Sequence, residues 1–336
     1  MGLPDMKSEK PSRGMMSLIE RASSHYGLSA ASEPRARKRL DVPLIPEPVV
    51  DVAEAVSVAS VEPVQPEVQP QAVPDLEPVK AAPVKASPLP AQPAGVADIN
   101  LQRLADLGFI VPGHPPTALS EEFRIVKRPM LLNAFGGRST PSVDRGRAIL
   151  VCSAHPNEGK TFCSINLAMS LVNERNVEVV LVDADVAKPE ILSSLGVTGA
   201  AGLLDAIVQD VDPETLIIPT TIPGLSVLPA GHQTPNDTEL LSSAEAFALV
   251  EALLAKNPAR IVIFDCAPAL AASPASALAH HIGQILLVVR ADRTSENDLS
   301  EAVKLLAGQA PIQLLLNGMT FPGSSQKYGS YYGYGG

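Results

Sequence analysis

The segment best equipped for chemistry is AILVCSAHPNEGKTFCSINLAMSL, residues 148–171. Its apolar start predicts a buried strand ending at Ser153, then a tight loop over residues 154–158 and a helix opened by Gly159, Lys160 and Thr161. A loop of this shape binds phosphate: backbone amides at the helix N-terminus cradle the oxygens, Lys160 reaches the β and γ groups, and the Thr161 hydroxyl binds Mg²⁺. Ala154 stands where such loops usually carry their first glycine. Two further runs, VVLVDAD and IVIFDCAP, each end an apolar strand in acid, at Asp183 and Asp185 and at Asp265. Acids two residues apart lie on one side of an extended strand, and the carboxyl edge of a parallel sheet is where α/β folds hold ligands. Three carboxylates gathered there repel one another unless a cation balances them. ATP and Mg²⁺ are therefore the expected cofactors.

The second chemical signal is at the other end of the chain. Four of its five tyrosines, Tyr328, Tyr331, Tyr332 and Tyr334, fall in the last nine residues, among glycine and serine. A glycine-rich terminus has little to bury a ring against, so these phenols suit the role of phosphate acceptors for the active site of a neighbouring copy. A low-complexity sticky tail is the other interpretation. Phosphoryl transfer would use Lys160 and Mg²⁺ to offset charge, with Asp183 or Asp185 accepting the phenolic proton. Each phosphate adds about −1.5 to −2 charges, so a fully modified tail rivals the chain's own net charge and should loosen assembly by repulsion.

These groups need a scaffold, and 336 residues suffice for one large domain or two small ones. A net charge of −10 argues against nucleic acid as a partner, since phosphate binding needs a basic surface. Cys152, Cys163 and Cys266 form no metal-ligand spacing and are expected as core thiols in a reducing, cytoplasmic setting. Neither a secretory signal nor a membrane span is visible in the sequence. Residues 1–40 carry a short amphipathic pattern at 16–28 and a basic cluster at 35–39 that could dock on lipid or an acidic partner. Residues 41–97 repeat Val, Pro, Glu, Ala and Gln, which predicts a disordered, partly polyproline-II linker. Helices are expected in residues 98–144, one starting near Thr117 or Ser120. Residues 145–320 alternate apolar strands with longer helical runs, including 189–208 and 238–256, which predicts an α/β domain with a mostly parallel sheet and helices on both faces. Residues 321–336 form the tail.

Taken together, SAHPNEGKT, the VDAD strand followed by Lys188 and Pro189, the FDCAP strand and the terminal tyrosines resemble the bacterial tyrosine kinases of exopolysaccharide synthesis. More narrowly, MSLIERA, EEFRIVKRPMLLNAFG, VLVDADVAKPE and YGSYYGYGG are similar to the tyrosine autokinases of exosortase and PEP-CTERM gene clusters. The resemblance implies a P-loop NTPase fold of the SIMIBI, MinD-like type and autophosphorylation of the tail in trans, regulating polysaccharide polymerisation and export. It implies a Walker A site in which Ser153, Ala154, Asn157, Glu158, Gly159, Lys160, Thr161 and Phe162 contact nucleotide, joined by Asn317. Asp183 and Asp185 would be the Walker A′ acids and Asp265 the Walker B acid. Lys160, Asp183 and Asp185 would be catalytic, and Thr161, Asp185 and Asp265 would hold magnesium. Glu121, Arg124 and Lys127 match a Glu-x-x-Arg-x-x-Arg helix that packs subunits into rings, with lysine replacing the third position's arginine. A membrane-bound chain-length regulator would be the activator, recruiting the kinase to the inner membrane, with the exopolysaccharide machinery as its wider partner. Two departures touch the loop after Asp265: Cys266 with Ala267, and Ser273, Pro274 and Ala275 where relatives often carry an acid. The runner-up is a ParA or MinD-like ATPase switch, whose second loop lysine corresponds here to His155. A catalytically dead scaffold is a third possibility.

Overall fold

The computed structural model describes residues 95–319. The amphipathic pattern at 16–28, the basic cluster, almost all of the proline-rich segment and Tyr328, Tyr331, Tyr332 and Tyr334 lie outside the described residues. Ala97, assigned above to the linker, is already paired: its amide donates to the Pro219 carbonyl at 2.8 Å and its carbonyl accepts from Thr221 at 2.9 Å.

Helix α1, Leu101–Asp106, starts where Asn100 accepts the Arg103 N–H. Helix α2, Ala118–Phe135, begins at Thr117, whose side chain accepts from the Ser120 N–H while Ser120 accepts from the Thr117 amide, a reciprocal cap. Both candidate cap residues named from the sequence therefore take part. Beyond them run β1, Ala148–Ser153; α3, Lys160–Leu171; β2, Glu178–Ala184; α4, Ile191–Leu195; α5, Leu203–Gln209; β3, Ile218–Pro219; and β4, Leu225–Leu228. The chain continues through α6, Asp237–Leu241; α7, Ala244–Ala255; β5, Arg260–Cys266; α8, Pro274–Ala279; β6, Gln284–Arg290; α9, Glu296–Leu306; and β7, Ile312–Asn317.

The seven strands are ordered β3-β4-β2-β5-β1-β6-β7 and all neighbours are parallel except β3 with β4. Every residue of β1 and β5 is buried, because a parallel sheet is covered on both sides. Alternate residues of β1 feed the two cores. Ile149 and Val151 pack with Phe123 and Met130 of α2 and with Ile165 and Met169 of α3, whereas Leu150 and Cys152 face Leu204 of α5, Leu253 of α7 and Leu278 of α8. The P-loop NTPase type of sheet with helices on both faces is thus present.

Two helices expected to be continuous are broken. The run at 189–208 stops at Gly196, which takes the left-handed conformation, and resumes only after Gly202. The run at 238–256 is interrupted at Ser242 and Ser243, where Ser243 turns into a new N-cap by accepting from Ala246. Apolar periodicity continues through both breaks and so conceals them. The two-residue antiparallel strand β3 had no periodic signal at all.

Lys127 requires a correction. Predicted as the third member of an oligomerisation face, it is buried inside its own chain: its ammonium donates to the Ser170 carbonyl at 2.7 Å and pairs with Glu174 at 2.7 Å. The reason is helical geometry, since Phe123, Lys127, Met130 and Ala134 share the inward face of α2. Glu121 and Arg124 remain accessible and are paired with each other at 2.8 Å. Replacing Lys127 with alanine should leave the C-terminal end of α3 without its cap and lower stability by about 1–3 kcal/mol, read as an earlier urea midpoint with unchanged slope.

Candidate functional site

At the carboxyl end of β1 the chain makes the expected tight loop. Asn157 and Gly159 both adopt left-handed backbone, with φ of 65° and 95°. Gly159 is required twice over, because a Cβ there would also stand 2.2 Å from Nδ2 of Asn317. Asn317, at the end of β7, donates that N–H to the Glu158 carbonyl at 2.9 Å. The Glu158 side chain turns inward: it accepts from the His155 N–H at 2.8 Å and from the Thr294 hydroxyl. From the β5 side, Ala269 and Leu270 donate to the carbonyls of Ser153 and Ala154. Ser153 itself is buried, its hydroxyl donating to the His155 carbonyl at 2.8 Å. The loop is therefore held from three directions by contacts that leave its helix-facing amides available.

Lys160 opens α3 and reaches the Asp185 carboxylate at 2.6 Å, with Thr161 3.3 Å away. Behind this pair the sheet register sets Asp183 directly opposite Asp265 on neighbouring strands. Both are fully buried. Asp183 accepts the Ile191 N–H of α4 at 3.0 Å and Asp265 accepts the Ser164 hydroxyl at 2.9 Å, yet Asp183 Oδ1 and Asp265 Oδ2 have no partner. Burial pushes Asp183 up to about 8, with the Asp265 carboxyl adding to the effect and the Ile191 N–H opposing it. Burial likewise lifts Asp265 to about 6, against the pull of Lys160, Thr161 and Ser164. Burial works against the Lys160 ammonium, but Asp265, Asp185 and Glu190 more than compensate and hold its pKa above the ordinary value. The three cysteines are buried, and burial pushes Cys152 and Cys163 up to about 12, so none is a nucleophile.

In front of these groups lies a cleft of about 580 Å³, lined by Asn157, Lys160, Thr161, Phe162, Asp185 and Lys188 among others. That volume is ample for a nucleotide. Phe162 stacks at 5.1 Å on Phe109, which also lines the cleft. Among the described residues no three His, Cys, Asp or Glu side chains are grouped to hold a metal unaided. Two orphaned carboxyl oxygens beside a lysine and a threonine fit a divalent ion that arrives with phosphate oxygens of its own. Thr161 and Asp185 line the cleft, and Asp265 and Asp183 lie buried behind them. Asp185 stands just past the end of β2, so its carboxylate faces Lys160 while that of Asp183 lies deeper in the sheet.

Several contributors were not singled out from the sequence: Ser164, Thr294 and Phe109. Ser164 was open to detection, since it lies one helical turn after Lys160 on the same face of α3. Thr294 and Phe109 come from distant segments and carry no local signal. His155 is outside the lining of the cleft, its Nε2 3.3 Å from Asp298 of α9.

A family profile described as an AAA domain matches residues 146–307. The tyrosine-protein kinase YwqD of Bacillus subtilis is 29% identical over 195 residues, covering 57% of this chain and 77% of the relative. The tyrosine-protein kinase CpsD of Streptococcus agalactiae is 29% identical over 192 residues, covering 56% and 82%. Over its α/β domain the chain is similar to bacterial tyrosine-protein kinases. Among solved structures, the VpsO kinase domain aligns with a TM-score of 0.50 at 26% identity, over 60% of this chain and 96% of that chain. The chimerical protein CapA2B2 has the same fold, with a TM-score of 0.56 at 23% identity over 69% and 96%. The chain spans about a fifth of the length of longer curated relatives such as the kinase wzc of Salmonella typhimurium, of which it covers 20%.

Both buried acids bind protons more tightly in the folded chain than the ordinary value of 3.8. Their stabilising contribution is complete below that value and disappears as pH rises through about 6 for Asp265 and about 8 for Asp183. Asp183→Asn, which cannot ionise, should gain on wild type by about 1–3 kcal/mol between pH 5 and pH 8.5 in nucleotide-free urea titrations. An advantage that stayed constant with pH would contradict the raised value.

Proposed function

We propose that this chain is an ATP-dependent protein-tyrosine kinase that phosphorylates Tyr328, Tyr331, Tyr332 and Tyr334 in the tail of a neighbouring copy. The observation that carries the proposal is the meeting of Lys160 with Asp185 in front of two unpartnered buried carboxyl oxygens, at the mouth of a nucleotide-sized cleft. Names carried by the relatives support tyrosine as the acceptor.

Lys160 would leave Asp185 to neutralise the transferring phosphoryl group, in a site where low polarity strengthens that contact. Magnesium, when bound with nucleotide, supplies charge to offset the β and γ oxygens. Thr161, Asp185 and Asp265 would hold it. Asp183 helps set the local charge and positions α4 through the Ile191 N–H. The backbone amides of Asn157 to Phe162 would bind phosphate, while Phe162 and Phe109 bound the cleft and Asn317 keeps the loop in shape.

Regulation of exopolysaccharide polymerisation and export, the narrower kinship with the exosortase-associated autokinases, a membrane-bound chain-length regulator as activator, and a cytoplasmic location with recruitment to the inner membrane belong to the same proposal. Among the described residues no helix is long and apolar enough to cross a membrane. Ring assembly would use Glu121 and Arg124 on the outer side of α2, without Lys127. The ParA or MinD-like switch is the weaker reading, because His155, at the position of that group's lysine, pairs with Asp298 outside the lining of the cleft.

Purified chain incubated with ATP and Mg²⁺, with and without a candidate activator's cytoplasmic segment, should acquire phosphotyrosine within residues 328–334 by mass spectrometry. Lys160→Met should lower the rate by about 10²-fold or more, and Asp183→Asn should reduce it strongly. ATP turnover with an unmodified tail would instead indicate the switch, and absence of nucleotide binding the scaffold.

A further inference from the structure

The proposed transfer leaves one position without an obvious occupant, the group that receives the acceptor hydroxyl. Both oxygens of Asp185 are engaged, one by Lys160 at 2.6 Å and the other by the Lys188 N–H at 3.2 Å. Asp183 and Asp265 are fully buried. Lys160 would leave Asp185 in the proposed reaction, but Asp185 would then hold magnesium with Thr161 and Asp265, so none of the three acids offers an exposed, free oxygen to an incoming phenol.

One strand over stands a second arrangement of side chains. Asp205, buried in the first turn of α5, accepts the Gly202 N–H at 2.9 Å and the His232 N–H at 3.1 Å on Oδ2, and its Oδ1 lies 2.9 Å from Nδ1 of His232. The backbone is shaped around this contact. A Cβ on Gly231, whose φ is 84°, would sit 2.3 Å from the Asp205 carboxylate, and one on Gly202 would sit 2.0 Å from the Pro229 carbonyl. A carboxylate only accepts hydrogen bonds, so Nδ1 carries the proton and the Nε2 lone pair points away from Asp205. The imidazole is 59% exposed. Strand β4 pairs with β2 through Leu228 and Val182, and the next residue after His232, Gln233, donates its side-chain N–H to the Val186 carbonyl. His232 thus follows β4 directly before the residue that is tied to the turn carrying Asp185, outside the lining of the cleft.

We propose that His232, oriented by Asp205, is a positioning residue for the acceptor, its Nε2 taking a hydrogen bond from the hydroxyl of the incoming tyrosine. The inference rests on the kinase proposal and adds to it the recognition of a phenol. An exposed acceptor nitrogen in a fixed direction suits a neutral hydroxyl, which a further carboxylate at this edge would serve less well because of repulsion from the nucleotide's phosphates.

Asparagine and glutamine separate the two ring nitrogens. In His232→Asn the amide N–H can replace Nδ1 against Asp205 while nothing replaces Nε2; in His232→Gln the amide can reach the Nε2 position. Full-length Lys160→Met chain, with its tail intact, serves as acceptor substrate for the wild-type and variant chains at varied concentration. His232→Asn should raise KM for that acceptor by about tenfold, with KM for ATP and thermal midpoint unchanged, and His232→Gln should recover most of the loss. A His232→Asn chain with wild-type acceptor KM would overturn the proposal, leaving the imidazole as a tie to Asp205. A parallel rise in both KM values with a fall in midpoint would overturn it too. If the wild-type chain binds ATP yet makes no phosphotyrosine under any of these conditions, the kinase proposal fails and this inference with it.

Discussion

Two carboxyl groups side by side in the middle of a parallel sheet are the constraint around which the rest of this molecule is arranged. Asp183 and Asp265 are fixed opposite each other by strand register and are sealed from water, where ionising both would be costly. Among the described residues Lys160 is the cation whose charge acts on both of them, and it is also held by Asp185. The resting chain meets the problem by raising both carboxyl pKa values, so that protons can occupy the site. Thr161, Asp185 and Asp265 would hold a divalent ion there, and its charge would offset that of the two buried acids.

The phosphate loop around this centre is braced by groups that do not themselves need to touch phosphate. Glu158 is the clearest case. A buried carboxylate in an anion-binding loop would oppose its purpose if it faced the ligand, but it faces the β6–α9 connection and holds the His155 amide and Thr294. Asn317 and the residues after β5 hold the loop's carbonyls. Ordering of this kind is completed on folding, so less of the binding free energy is consumed in arranging the loop. The helical segment before β1 adds to the support: the Ile110 amide donates to the buried Asn166 side chain of α3 at 2.8 Å, and Lys127 caps the far end of the same helix.

Using Lys127 in this way alters the character of α2. Its outer surface keeps the Glu121 and Arg124 pair, and it exposes Ile125 and Leu132, two apolar residues seven positions apart on one side of the helix. A lysine can serve as an internal clamp where arginine would not fit as well, since its compact ammonium on a narrow stem reaches one carbonyl and one carboxylate.

Local features of the sequence were enough to determine the six strands other than β3, the loop at Gly159, the caps at Thr117 and Ser120 and the placement of three acids at strand ends. Each follows from a few neighbouring residues: apolar runs, a left-handed glycine, hydroxyl side chains before a helix. The tertiary structure alone decided that Asp183 faces Asp265, that Asp185 takes Lys160, that Lys127 turns inward and that Asp205 orients His232. Those pairings join residues far apart in the chain, and they depend on strand register, on the breaks at Gly196–Gly202 and on which face a helix presents, none of which spacing along the sequence specifies.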